Sequence, residues 1–320
     1  MRIAIVGMGG DIGTGVALRF HRDPEVSMLG IDMEPPRRRI RRTEFHRVDP
    51  TEVEARTLLL REFDPHVLIH LGIYEPHSRS NPVSAEIRTR AATRSVFQAA
   101  LDCPSLEHIV MRSGIDVYGS RRRTHEVADE TTPLAPTSRF GRMLADAETA
   151  ARTFQTQRPD IPVTILRFAP IVGPYIPSPL GRYLRLPVVP VGLPFEGPVQ
   201  LVHIDDVHDG VAAAVRARKD GAFNIVGDGT ITGSKAARIG RRLILPVWGP
   251  GWRVARIVTA ALGSPLPEHS AEALQRGQTA DGTKARTELD FMPARSTRAC
   301  VEDLYNWESV VHLEVDRDAA

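Results

Sequence analysis

Lysine is nearly missing from this chain. Of its 41 basic residues only Lys219, Lys235 and Lys284 are lysine. No reaction step that needs a lysine amine can therefore draw on the first two-thirds of the sequence. Cysteine is almost as scarce. Cys103 and Cys300 lie far apart and in no metal-type spacing, which excludes a disulfide framework and a zinc site; no metal is expected. No apolar run reaches the ~18–20 residues needed to cross a bilayer. The apolar run at the N-terminus stops at a glycine after five residues, too short for a signal peptide. A cytoplasmic protein without a membrane span is the expectation. The net charge of +2 is too small to make nucleic acid or a membrane the main partner.

What is present is ordinary in bulk and specific in pattern. The 320 residues are 42% hydrophobic and 25% charged, enough for a sizeable core in one large or two modest domains. Short apolar runs at 2–6, 27–31, 67–71, 108–111, 163–168 and 223–226 alternate with helical patterns at 13–21, 51–62, 82–101, 140–157 and 206–217. Alternation of this kind predicts a parallel sheet covered by helices on both faces, an α/β doubly wound fold of the Rossmann type. A proline-rich excursion interrupts it after Gly173, and Asp206 is expected to cap the helix that follows. Beyond Val226 the chain is irregular, with short helices at 251–262 and 270–276. The expected layout is a nucleotide-binding domain over 1–172, completed by 200–226, and a smaller C-terminal substrate-binding lobe from 173–199 and 227–320.

The first strand runs into Gly7-Met-Gly-Gly-Asp-Ile-Gly13 and then a helix. Gly7 permits the tight turn, Gly10 lets backbone approach a pyrophosphate, and Gly13 lets helix and strand pack closely. The N–H groups of the first helical turn, around Asp11 and Ile12, face the phosphates with the positive end of the helix dipole. Asp32 closes the second strand about twenty residues later, where a carboxylate accepts ribose hydroxyls and repels a 2′-phosphate. That favours NAD; Arg37-Arg38-Arg39, if folded back, would favour NADP instead. Asp49-Pro50 reads either as a turn and helix cap or as a contact to the adenine ring, and the two are compatible. Leu71, Gly72 and Ile73, leaving the strand at 67–71, complete the expected cofactor wall.

These residues together resemble the extended short-chain dehydrogenase/reductases, the NAD-dependent epimerase/dehydratase group. The resemblance is carried over nearly the whole chain by the glycine loop, Asp32, Asp49-Pro50, Val67-Leu-Ile-His-Leu-Gly72, Val117-Tyr-Gly119, Leu166-Arg-Phe-Ala-Pro-Ile-Val-Gly-Pro174, Val202-His-Ile-Asp-Asp-Val207 and Phe223-Asn-Ile-Val-Gly-Asp228. It looks closest to divergent actinobacterial members named after UDP-glucose 4-epimerase. It implies NAD held between Rossmann domain and C-terminal lobe. The implied substrate is a small hydroxylated molecule such as a nucleotide sugar. A homodimer is implied too, through the helices at 82–101 and 140–157. It also implies a tyrosine that moves a proton at the substrate hydroxyl, a lysine four residues later that lowers its pKa, and a serine on the same substrate oxygen.

All three of those positions depart from the pattern. Phe140 stands for the tyrosine, Leu144 for the lysine and Gly114 for the serine. A positioned acid–base group is worth about 10²–10⁴ in rate, roughly 3–5 kcal/mol of barrier, which argues strongly against the usual mechanism and leaves slow or differently organised chemistry open. Candidate substitutes are Tyr74 and His77, which either donate a proton or merely line the site, and Ser113, beside Gly114. Phe140, Pro170, Tyr175 and Arg182 are expected to wall the substrate site, arginine suiting a phosphate or carboxylate; Tyr118 either joins them or is structural. The segment 252–262 mixes Trp, Arg and apolar residues, fitting either packing or a membrane surface. Three functions stay open: an NAD-dependent epimerase, dehydratase or reductase with a relocated acid–base group; a catalytically silent NAD-binding sensor or scaffold; and a non-redox isomerase or cyclase with structural NAD.

Overall fold

A computed structural model describes residues 1–76, 81–120, 127–174, 176–192, 195–249, 251–261 and 264–306, apart from the side chains of Arg253 and Ala261. The strands in chain order are β1 (Arg2–Val6), β2 (Ser27–Asp32), β3 (Thr43–Arg47), β4 (Val67–His70), β5 (His108–Gly114) and β6 (Val163–Phe168). Then come β7 (Ile171–Val172), β8 (Val188–Gly192), β9 (Val202–His203), β10 (Gly221–Ile225) and β11 (Leu243–Val247). The helices begin with α1 (Asp11–Phe20), α2 (Val53–Phe63), α3 (Pro82–Ala100), α4 (Arg139–Gln157) and α5 (Pro179–Leu184). They continue with α6 (Ile204–Ala217), α7 (Gly233–Ile239), α8 (Gly251–Ala261), α9 (Glu268–Arg276), α10 (Thr283–Glu288) and α11 (Thr297–Asn306).

Seven strands form one sheet in the order β10-β6-β5-β4-β1-β2-β3, each neighbouring pair parallel. The central strands are buried and mostly apolar because both faces are covered, by α2, α3 and α4 on one side and by α1 and α6 on the other. The order reverses between β4 and β1, which places a crevice at the carboxyl ends of those strands. Strand β5 runs three residues past its expected end. Its partner β6 continues in register, Arg112 beside Leu166, Ser113 beside Arg167 and Gly114 beside Phe168.

A second hydrophobic core gathers Val172, Tyr183, Val189, Val191, Trp252, Leu274, Val301 and their neighbours. The proline-rich excursion is more regular there than its composition suggests. Strand β8 pairs in parallel with β11, and each carries one proline, Pro190 and Pro246, in a two-stranded sheet where a missing ladder donor is tolerated. Helix α10 leaves this lobe and packs Ala285, with Leu289 and Phe291, into the first core. The cap of α6 differs from expectation. His203 is the N-cap, its ring accepting from the Asp205 N–H. Asp206 lies inside the helix, and its carboxylate instead accepts from the Ala294 and Arg295 N–H groups at 2.8 and 3.2 Å, tying the chain before α11 to α6.

Candidate functional site

The turn between β1 and α1 is shaped by what its glycines lack. Gly7 has φ +93°, a conformation costly for any residue with a Cβ. A Cβ on Gly13 would lie 2.0 Å from the Gly7 carbonyl oxygen, whereas one on Gly10 would meet nothing within 4 Å. Gly13 is therefore a packing residue, and Gly10 fronts open space. Gly10 is also the N-cap of α1 and offers no side-chain acceptor to the first N–H groups, which leaves them and the helix dipole for an anion.

That space is a cavity of about 510 Å³ at the switch point, with Gly7, Gly10, Asp11, Ile12, Gly13 and Asp32 along one side. Leu71, Gly72, Ile73 and Tyr74 line it from the end of β4, and Arg182 from α5. Asp32 is the polar anchor. One carboxylate oxygen accepts from Gly9 N–H at 2.8 Å, the other from Met33 N–H at 2.6 Å. Burial raises its pKa against the pull of those bonds, so further hydroxyl donors would stabilise its charged form. Arg37 pairs with Asp11 at 2.9 Å on the cavity wall. Asp49 and Pro50 are not brought to this cavity. The Asp49 carboxylate accepts from Thr51 N–H and Oγ1, closing the turn before α2.

Tyr74 lies on the wall with its hydroxyl buried beside the Arg56 guanidinium. Burial, with the Asp32 charge added, pushes its pKa up to about 12. It keeps its proton near neutrality and is a poor base. Beneath it Arg56, wholly buried, has no hydrogen-bond partner for any of its three guanidinium nitrogens. His77 and Tyr175 lie outside the described residues.

A smaller cavity of about 40 Å³ continues from the first, both being lined by Glu75, Arg112, Ile171, Ser178 and Pro179. Ser113, Gly114, Phe140 and Pro170 surround it, whereas Arg182 lines only the larger cavity and Leu144 lines neither. Leu144 is buried against Gly114, where a Cβ would come within 3.1 Å of its Cδ1. The Ser113 hydroxyl is committed elsewhere, donating to Glu148 Oε1 at 2.7 Å. Glu148 in turn holds Arg167 through bonds of 2.9 and 2.7 Å. Arg167 also donates to the Tyr118 hydroxyl, which itself donates to Asn224, both at 2.8 Å. Tyr118 is a member of this buried network and lines neither cavity.

The titratable groups facing the small cavity are ones that sequence reasoning missed. His269, from α9, stacks on Phe140 with ring centroids 4.6 Å apart. Its Nε2 meets Glu75 Oε1 at 3.1 Å, and Arg112 approaches the same carboxylate at 3.8 Å. Burial alone would lower the His269 pKa; the bond and charge of Glu75, with Asp116 and Glu268, outweigh it and hold the imidazole above the usual histidine value. Burial likewise raises Asp116. Glu75 had one signal in the sequence, its place directly after Tyr74. His269 had none, because only folding brings α9 to the start of α4. There Thr137 donates to Glu272 at 2.7 Å, and the Arg139 N–H to Glu268 at 3.4 Å.

Among the described residues there is no cluster of His, Cys, Asp or Glu able to hold a metal, and no helix long and apolar enough to cross a membrane. An uncharacterised protein of Mycobacterium tuberculosis is 30% identical over 303 residues, 92% of this chain and 80% of its own length. Among solved structures, UDP-glucuronic acid 4-epimerase from Bacillus cereus in complex with NAD superposes with a TM-score of 0.73 at 19% identity, covering 96% of this chain and 98% of that one. The dTDP-glucose 4,6-dehydratase from Bacillus anthracis, also in complex with NAD, gives 0.72 at 17%, covering 96% of both chains. Residues 3–226 match the sequence pattern of the NAD dependent epimerase/dehydratase family, and the chain belongs to that family.

Proposed function

We propose that this protein binds NAD in the larger cavity and oxidises or epimerises a hydroxyl-bearing small molecule, of which a nucleotide sugar is the leading class, in the smaller one. The observation that carries the reading is the continuity of the two cavities. An uncapped helix N-terminus and a buried carboxylate stand at one end, and titratable groups at the other. The residues fit the dinucleotide: Gly10 leaves room for backbone approach, the α1 N–H groups suit a pyrophosphate, and each Asp32 oxygen keeps acceptor capacity for a ribose hydroxyl. NAD, when bound, supplies an acceptor and donor of hydride. The chain's own residues bind and orient it, and Phe140, Pro170 and Ile171 shield the reaction space from water.

A catalytically silent NAD-binding protein is the second reading. It is favoured by Leu144, which fills the lysine position with hydrocarbon, and by the commitment of the Ser113 hydroxyl to Glu148. A homodimer is supported by the groove of about 620 Å³ between α3 and α4, lined by Phe97, Leu101, Met143, Ala147 and Phe154. Two free, buried cysteines suit a reducing cytoplasm. Protein purified without added cofactor separates the readings. Released NAD, together with reduction of the bound nicotinamide on adding UDP-glucose or UDP-glucuronic acid, is the expected result. NAD that is bound but never reduced by a broad set of hydroxylated substrates selects the silent protein, and protein that binds no NAD defeats both.

A further inference from the structure

We infer that His269, held by Glu75 against the ring of Phe140, is the proton-transferring group of this site. The inference rests on the NAD-dependent reading above and goes beyond it by naming the acid–base residue. His269 covers the face of Phe140, the ring that lacks a hydroxyl, at 4.6 Å. It lines the small cavity together with Gly114 and Ser113. Its Nε2 is turned to Glu75, which leaves Nδ1 as the ring nitrogen not engaged with that carboxylate. A carboxylate on one ring nitrogen fixes the orientation and tautomer of an imidazole and leaves the other nitrogen for substrate.

When a carbinol is oxidised, its O–H bond breaks and the proton passes to Nδ1. The oxygen electron pair forms the C=O bond as the carbon releases hydride to the acceptor supplied by NAD. The positive charge then on the imidazole faces Glu75 from the chain after β4, Asp116 from the turn after β5, and Glu268 on its own helix. Arg112 offsets part of the Glu75 charge. In the return direction the same nitrogen gives the proton back. Glu75 is a positioning residue: it touches the imidazole and acts through it.

The test uses NAD-loaded protein and diethyl pyrocarbonate, which modifies uncharged imidazole, with peptide mass spectrometry to follow His269 from mildly acid to mildly alkaline pH. The expected midpoint lies above the ordinary histidine value of about 6.5, and in Glu75→Gln it moves to lower pH. In parallel, His269→Gln and His269→Asn are each expected to slow nicotinamide reduction by UDP-glucose or UDP-glucuronic acid about 10²–10⁴-fold with NAD affinity unchanged, and an unchanged thermal midpoint reports that the fold is kept. A His269 that never reacts, a midpoint indifferent to Glu75→Gln, or variants that retain the full rate each overturn the inference. A wild-type protein that binds no NAD fails earlier, at the proposed function, so the two failures are distinguishable.

Discussion

At the scale of single residues, the small cavity is backed by packed hydrocarbon as well as by titratable groups. Leu144 is 1% exposed and packs beside Gly114. Leu144→Lys is expected to destabilise the fold by about 3–5 kcal/mol, the cost of an uncompensated buried charge, because the nearby Glu148 is already bound to Arg167 and Ser113. Phe140→Tyr adds only a hydroxyl to a ring on the cavity wall and is expected to change stability by less than about 1 kcal/mol. Urea unfolding of the two variants checks the contrast; equal losses would contradict it. Residues of this kind were unevenly legible. Gly7, Gly10, Gly13 and Asp32 could be read because their roles depend on a turn and on one adjacent strand. The Ser113–Glu148–Arg167–Tyr118 network and the Glu75–His269 pair could not, since each joins side chains that only tertiary packing makes neighbours.

At the scale of elements, the opening strand, turn and helix separate folding from binding at two positions three residues apart. Gly10→Ala places its methyl in open space at φ −69°. It is expected to leave stability within about 0.5 kcal/mol while weakening NAD about tenfold or more, a difference of at least about 1.4 kcal/mol. Gly13→Ala drives a methyl into the backbone of Gly7 and is expected to cost about 1–3 kcal/mol of stability. Calorimetric titration and thermal unfolding of both variants give the comparison, and a Gly10→Ala protein with full NAD affinity would count against the cradle. The elements themselves were legible wherever periodicity was strong: β1, β6 and α4 begin and end within a residue or so of their expected bounds. The pairing of β8 with β11 was not, because proline masks a strand in a linear reading, and because that pair joins segments some fifty residues apart.

At the scale of the whole molecule, buried histidines make the fold sensitive to acid. His70 and His108 each give Nε2 to a threonine hydroxyl and keep Nδ1 buried without a partner. Burial lowers their pKa values to about 3 and about 4. Both are neutral in the folded protein, whereas the unfolded chain takes up their protons near pH ~6.5. Stability from these groups is therefore full above about pH 6.5 and falls as the pH drops from there toward the folded values. Urea midpoints taken between neutral and mildly acid pH should fall on acidification, and His108→Gln should blunt the fall. A midpoint that holds constant over that range would contradict this account.

The two cores give α9 a meaning that neither core has alone. Glu75, Arg112, Asp116 and Phe140 stand on the sheet side, while His269 is carried by a helix anchored in the C-terminal lobe. The proposed acid–base pair is thus split across the cleft and exists only while the lobe is seated on the start of α4. Any breathing that lifts α9 parts donor from acceptor and leaves a bound hydride carrier inert. On the proposed role of His269, the lobe would work as a safety catch: substrate that failed to seat it would meet no competent proton group, and selectivity would be exerted through assembly of the catalyst as well as through the fit of the substrate.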